Sequence, residues 1–308
     1  MTYVSINLIG DFQAKLVNKG LSLGLKLQNL DSSLASIRVL TYLRKTGNSL
    51  PKKIIKSKDF DKSIPVELAD NVHSLIKKIE SGVDLTPYLS KNSIILNNDK
   101  KFDYLFNDWG ILHLHLGKEF EDKKSKFIKR TGPLLFIIPY FDNVYLLSVF
   151  NHCDNVWSKK ILVQEVYDNW PELLYKFDDI VGLETEISDD ERQLLRKAGI
   201  NSSIIDIKDS KTGEKIFVSM NGLGYSISRD PVVDIQYYDN IVRKLKQLQE
   251  IIKNRIYLSP QIYETYKEQS VIYLTLNFDL KKRRWQVMDL ITENIFWEDY
   301  SNLLVILN

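Results

Sequence analysis

The sequence predicts an α+β fold: a central antiparallel sheet with flanking helices, plus a second α+β domain. Three observations predict it. Strand-type apolar runs separated by turn residues concentrate between about residues 101 and 178 and return near the C-terminus. Segments with apolar residues at helical spacing, bounded by start and stop residues, stand on either side of the first group. The character of the chain changes again between residues 180 and 185, which divides it into an expected N-terminal domain, 1–180, and a C-terminal domain, 185–308.

Each element follows from its own residues. In the first hundred, "SLASIRVLTYL" reads as strand-like, and the lysine-rich "RKTGNSLPKKIIKSKDFDKS" reads as a charged loop. An amphipathic helix follows in "IPVELADNVHSLIKKIESG", where Leu68, Val72, Leu75, Ile76 and Ile79 share a face, Pro65 suits the first turn and Gly82 stops it. Next comes the sheet. "ILHLHLG" alternates, "GPLLFIIPYF" is a continuous apolar run, and "NVYLLSVFNH" follows after the turn-prone Asp142-Asn143, so the last two form a hairpin. Pro139 assigns part of the middle strand to an edge or bulge position.

A helix over "WSKKILVQEVYDNWPELLYKF" places Ile161, Leu162, Val166 and Trp170 on one face until Pro171 ends or kinks it. Beyond residue 185, "SDDERQLLRKAGIN" is a helix with Ser188 and Glu191 at capping-box spacing and Gly199 as its stop. "KIFVSMNGLGYSIS" reads as a strand and glycine turn. A long helix then starts at "RDPVVDIQYY", with Asp230 as cap and Pro231 in the first helical position. The chain returns to strands in "SVIYLTLNFDLKKRRWQVMDLITENIFWEDY", a hairpin whose connection carries Lys281, Lys282, Arg283 and Arg284.

Composition bounds the function. With 308 residues, 44% apolar and 11% aromatic, the chain can bury a large core. Charged residues make up 27% but nearly cancel, to a formal +2, which excludes a strongly basic nucleic-acid wrapper and leaves room for local basic patches. Cys153 is the single cysteine, so no intramolecular disulfide and no multi-cysteine zinc site is available, as suits a reducing cytosol. No basic leader precedes an apolar run at the N-terminus, and no window approaches the roughly 20 apolar residues of a membrane span. A soluble cytoplasmic protein is expected.

The segment "NDWGILHLHLGKEF" carries the chemistry. On a strand, His113 and His115 share one face roughly 6 to 7 Å apart, while Leu112, Leu114 and Leu116 take the other. Three of the chain's four histidines fall between 113 and 152, with Arg130 among them and with Lys126 and Lys129 in the basic stretch "KKSKFIKRTG". Imidazole, with an unperturbed pKa of about 6.5, accepts and donates protons near neutrality. Two or three such rings and a guanidinium suffice for metal-free RNA cleavage, in which one ring deprotonates a ribose 2′-hydroxyl, another protonates the departing 5′-oxygen, and the cation stabilises the pentavalent phosphorus. DNA lacks that hydroxyl.

The order of elements in "RTGPLLFIIPYFDNVYLLSVFNH", a strand and basic loop followed by Arg130 and two apolar strands ending in a histidine, resembles the sheet of RelE-type toxins within the barnase, EndoU, colicin and RelE group of ribonucleases. The resemblance covers about residues 107–175 and is topological. It implies a metal-independent endoribonuclease without a cofactor, serving as a toxin or antiviral effector, with RNA as partner and a protein or RNA inhibitor as a possible second one. His113 or His115 would be the base, His152 the acid, Arg130 the phosphate-binding cation, and Lys126 and Lys129 RNA-binding residues.

Two other readings stand beside it. In "HLHLGKE", Glu119 follows His115 at the spacing of the first cupin motif, so His113, His115 and His152 can also be read as ligands of a zinc or iron ion, although the second cupin motif is missing. The histidines can equally serve hydrogen-bonded structural roles in a non-enzymatic interaction or inhibitor protein. Elsewhere, "NGLGYS" around Gly222 and Gly224 lacks the lysine-serine ending of a phosphate loop and reads as a tight turn, Cys153 as an incidental or buried thiol, and Trp109, Trp157 and Trp170 as core anchors.

Overall fold

The computed structural model describes residues 3–47, 50–91, 103–140, 142–151, 158–220, 224–279 and 284–299. Among them are eight α-helices and three open sheets of three or four strands, an α+β architecture without a closed barrel. The chain forms two compact units, Met1–Leu40 with Gln236–Asn308, and Thr41–Ile235. These units do not follow the linear division expected at 180 to 185. One joins both ends of the chain, and the boundaries fall inside helices α2 (Ser32–Thr46) and α7 (Val232–Leu258). No helix among the described residues is long and apolar enough to cross a membrane.

In the unit built from the two ends, β1 (Tyr3–Ile6) lies parallel to β9 (Val271–Asp279), and β10 (Arg284–Asp289) and β11 (Ile295–Glu298) continue the sheet antiparallel. The expected C-terminal hairpin is therefore present, with Arg284 opposite Asp279. Lys281, Lys282 and Arg283 lie outside the described residues. β9 alternates: Ile272, Leu274 and Leu276 are buried between more exposed neighbours. Helix α1 (Leu8–Ser22) buries Leu8, Phe12 and Leu16, one residue per turn. Beyond Leu274, where β1 stops pairing, the Asp11 carboxylate accepts from Leu276 N at 2.9 Å and Thr275 Oγ1 at 3.0 Å, standing in for the missing strand.

The segment expected as a strand, "SLASIRVLTYL", is helix α2. Asp31 caps it, accepting from the backbone N–H of Ser33 and Leu34 at 3.0 Å each. Ala35, Ser36, Ile37, Val39, Leu40, Tyr42 and Leu43 are all buried, so the helix is covered around most of its circumference and no apolar stripe marks its period. The β-branched Ile37, Val39 and Thr41 complete the likeness to a strand.

In the other unit the hairpin forms as expected. β4 (Pro133–Pro139) and β5 (Asn143–Asn151) are antiparallel, closed by Tyr140 N donating to Asn143 O at 2.8 Å. β3 (Leu112–His115) pairs antiparallel with β4, and β2 (Lys53–Lys56) pairs parallel with β5, giving the order β2-β5-β4-β3. β2 sits within the segment expected as a lysine-rich loop. β4 is an interior strand, and Pro139, expected at an edge or bulge, is its last residue; the irregularity in the hairpin lies between Leu135 and Ile137.

Each face of this sheet has its own core. On one, Leu112, Leu114, Leu116, Leu135, Ile137, Val144 and Leu146 meet Val72, Leu75, Ile76 and Ile79 of α3 (Ala69–Glu80), the amphipathic helix expected from its spacing. A 3₁₀ turn at Val66–Leu68 precedes α3, and Gly82, at φ +73°, follows it. Full burial of each such side chain contributes about 1.5–3 kcal/mol. On the opposite face, Leu134, Phe136, Ile138 and Leu147 pack with Leu162, Val163 and Val166 of α5 (Lys160–Asn169). Ile161, expected on that buried face, is 52% exposed. The chain leaves the helix at Trp170, and Pro171 opens a 3₁₀ turn into β6 (Leu174–Phe177). β6 belongs to a small antiparallel sheet ordered β6-β8-β7, with β7 (Ile205–Lys208) and β8 (Lys215–Met220), that joins the same core through Leu174, Ile205, Ile207, Val218 and Met220.

Helix α6 (Asp189–Lys197) carries both halves of the expected capping box, Ser188 with Glu191, and Gly199 follows at φ +79°. Helix α7 begins at Val232, one residue after Pro231, whose carbonyl accepts from Asp234 N and Ile235 N. A short α8 (Pro260–Tyr266) follows, capped by Ser259.

Candidate functional site

The histidine strand is set by the short helix before it, α4 (Tyr104–Trp109). The Asp103 side chain accepts from Phe106 N at 3.1 Å and starts the helix; Gly110, at φ +71°, ends it in a left-handed conformation that favours glycine. The chain enters β3 within two residues. Leu112, Leu114 and Leu116 go to the α3 side of the sheet, and the alternation puts His113 and His115 on the other. Their ring centroids are 6.0 Å apart, as the spacing predicts, and the rings meet edge to face at 84°. Phe136 of β4, directly opposite His113 in the register, lies 6.4 Å from its ring.

The pair is more enclosed than a strand face turned to solvent would be. His113 is 8% exposed and His115 is 6% exposed. Among the described residues β3 has a strand partner on one side only, which makes it the edge of this sheet as described.

The basic stretch after β3 is an ordered ribbon. Phe120 and Ile128 form an isolated bridge, Glu121 N donates to Phe127 O, and Lys129 N donates to Glu119 O. Ile128 is buried in the α3 core. Thr131 closes the ribbon, its hydroxyl accepting from Leu116 N at 3.0 Å and donating to Pro133 O at 2.8 Å. Gly117 permits the closure, because a Cβ there would come 2.4 Å from the Lys129 carbonyl oxygen. Lys126 and Arg130 are exposed; Lys129, also exposed, pairs with Glu119 at 2.6 Å. The Lys91 ammonium, and to a smaller extent Arg130, hold the Glu121 carboxyl below the usual range.

The structure thus brings His113 and His115 together and puts Lys126, Lys129 and Arg130 on the connection leaving their strand. His152 lies outside the described residues, as do Cys153, Trp157 and Gly222. Trp109 and Trp170 are core anchors, 1% and 7% exposed. The cupin-type reading loses its support at Glu119, which is exposed and paired with Lys129, and the described sheets are open and not a jelly roll. No group of three or more histidine, cysteine or acidic side chains suited to a metal ion is found among the described residues.

Sequence reasoning passed over a buried charge centre next to this strand. Arg196 Nε donates to Asp108 Oδ2 at 2.7 Å, and Nη2 lies 2.7 Å from the same oxygen. The Arg196 guanidinium sits 4.1 Å over the Trp109 ring, and Arg192 lies 5.9 Å from it. Arg192 donates to the carbonyl and hydroxyl oxygens of Ser202 at 2.8 and 2.9 Å. Burial pushes the Asp108 carboxyl up while the two guanidiniums pull it back, and burial pushes the Arg192 guanidinium down. Asn107 adds a hydrogen bond to Arg229 O at 2.8 Å. The three residues before Gly110 are therefore fixed, and with them the origin of β3. The i, i+4 spacing of Arg192 and Arg196 was the available signal; on a surface helix it reads as a solvated face.

No family model, curated protein or solved structure matches this chain. Function is therefore argued from the chemistry of the site. Two adjacent imidazoles can pass protons to and from a group that reaches them; here both rings are almost closed off from solvent, and the exposed cations stand on a ribbon anchored through Ile128 to the α3 side of the sheet, opposite the face the rings occupy.

Proposed function

We propose that this chain is a metal-independent endoribonuclease, acting in the cytoplasm as a toxin or antiviral effector. The observation that carries the reading is the His113 and His115 pair, edge to face at 6.0 Å on the strand at the edge of the sheet as described. One ring, neutral, takes the proton of a ribose 2′-hydroxyl; the oxygen attacks the adjacent phosphorus, and the 5′-oxygen leaves with a proton from a second, protonated imidazole. His152, which follows β5 in the chain, is assigned that second role. Arg130 offsets charge on the phosphorane oxygens, and Lys126 and Lys129 draw the backbone toward the strand. The order β3, ribbon, β4, β5 supports the likeness to RelE-type toxins, because that likeness rests on this order of elements.

The test is product chemistry. A 5′-labelled RNA incubated with the protein in excess EDTA should yield fragments ending in 2′,3′-cyclic phosphate or its hydrolysis product, with 5′-hydroxyl partners, while a DNA of the same sequence stays intact. Intact RNA, or cleavage that stops when divalent ions are removed, contradicts the reading.

A further inference from the structure

Helix α6 is built inside out. Its buried residues are Arg192 and Arg196, while Leu194 is 64% exposed. At about 100° per residue, Leu194 and Ala198 fall roughly 160° and 120° from Arg192, facing away from the charge centre, and the half-buried Leu195, about 60° from Arg192, lies at the border between the two faces. These three form one wall of a shallow groove of about 410 Å³ that Thr185, Ile187 and Glu191 complete. Val181 and Ile200, on either side in sequence, are also exposed. The inner face of the helix is already filled by Arg192 and Arg196, so packing within α6's own unit does not account for the exposed Leu194.

The charge around the groove selects the occupant. The stretch 178–191, which leads into α6 and supplies groove residues, contains Asp178, Asp179, Glu184, Glu186, Asp189, Asp190 and Glu191, and no lysine or arginine. Of these carboxylates, Asp178 pairs with Lys176, Glu186 with Lys215, Asp189 accepts from Lys160 N and Glu191 is held by Ser188, while Glu184, next to the groove residue Thr185, is exposed.

We propose that this groove docks an amphipathic helical segment of a partner protein, whose leucine-type face covers Leu194, Leu195 and Ala198 and whose flanking lysines or arginines meet the acidic stretch. Apolar contact supplies the affinity and the carboxylates set orientation and rate of encounter. The docking is independent of the ribonuclease reading, since it uses none of His113, His115 or Arg130.

The probe is a fluorescein-labelled, 18-residue helical peptide of leucine and lysine with all leucines on one face. Two controls accompany it: one with glutamate in place of lysine, the other with serine in place of leucine. The full-length protein should bind the leucine-lysine peptide saturably and at least tenfold more tightly than either control. Leu194→Asp should weaken that binding at least tenfold, and Glu184→Lys severalfold; both positions are exposed, and an unchanged melting temperature checks the fold. Equal binding of the glutamate peptide, or binding unaltered by Leu194→Asp, would overturn the proposal. So would a concentration-dependent dimer that Leu194→Asp abolishes, because a second copy of the chain would then cover the groove.

Discussion

Arg196 and Asp108 form an ion pair at 2.7 Å with side chains only 2% and 1% exposed, joining α6 to the helix that starts the histidine strand. Two charges removed from water recover little net stability by pairing, but deleting one strands the other. Arg196→Met should therefore cost about 3–5 kcal/mol in urea denaturation. The exposed pair of Lys129 with Glu119 is the contrast, and Lys129→Ala should cost under about 1 kcal/mol. Equal costs would mean that the buried pair does not anchor α4.

The start of β3 depends on one glycine. Gly110→Ala forces a side chain into the left-handed region at φ +71°, at a cost of about 1–2 kcal/mol. It should lower RNA cleavage as well as stability, because the strain is met by shifting the first residues of the strand. Loss of stability with full cleavage would show the strand to be positioned by its pairing with β4 alone.

A surface hydrogen bond should titrate at both ends of the pH scale. The Tyr167 hydroxyl donates to Asp209 at 2.6 Å; with help from the backbone N–H groups of Thr212 and Lys211, this takes the carboxyl down to about 2 and pushes the phenol up to about 12. The Asp209 contribution is present above its ordinary 3.8 and lost as pH falls toward 2. The phenol contribution is present below 10.0 and lost as pH rises through about 12. Tyrosinate absorbance of the wild type minus that of Tyr167→Phe should thus show Tyr167 still protonated at about pH 11. Ionisation at the ordinary value would contradict the bond.

The capping box of α6 gives a local test. Ser188→Ala removes the acceptor for Glu191 N and the hydroxyl that donates to the Glu191 carboxylate at 2.7 Å, for an expected loss of about 0.5–2 kcal/mol. Glu191 is held below the usual carboxylate range chiefly by the Ser188 backbone N–H, so Glu191→Gln, which keeps a side-chain acceptor, should cost less.

What was legible in the sequence was whatever a short window encodes. The spacing of Val72, Leu75, Ile76 and Ile79 marks α3, the Ser188 and Glu191 pair marks the start of α6, and the alternation of "LHLHL" fixes which residues face together. Two things escaped. Helix α2 is buried around its circumference and so has no stripe, and the strand-like residues Ile37, Val39 and Thr41 decide the local reading wrongly. The pairing of β1 with β9 joins residues some 268 positions apart, as between Tyr3 and Val271, and no local pattern announces it. The charge centre was hidden for a third reason: leucine inside and arginine outside is the ordinary order on a helix, and α6 reverses it.

The central claim is that His113 and His115 are acid-base groups and not structural rings. Single-turnover cleavage of RNA in EDTA, measured for wild type, His113→Ala, His115→Ala and Arg130→Ala with folding verified by circular dichroism, tests it most directly. A fall of about 100-fold or more in at least one histidine variant, and a smaller fall for Arg130→Ala, is the predicted result. Wild-type rates in both histidine variants, or a wild type that leaves RNA uncut, would contradict it.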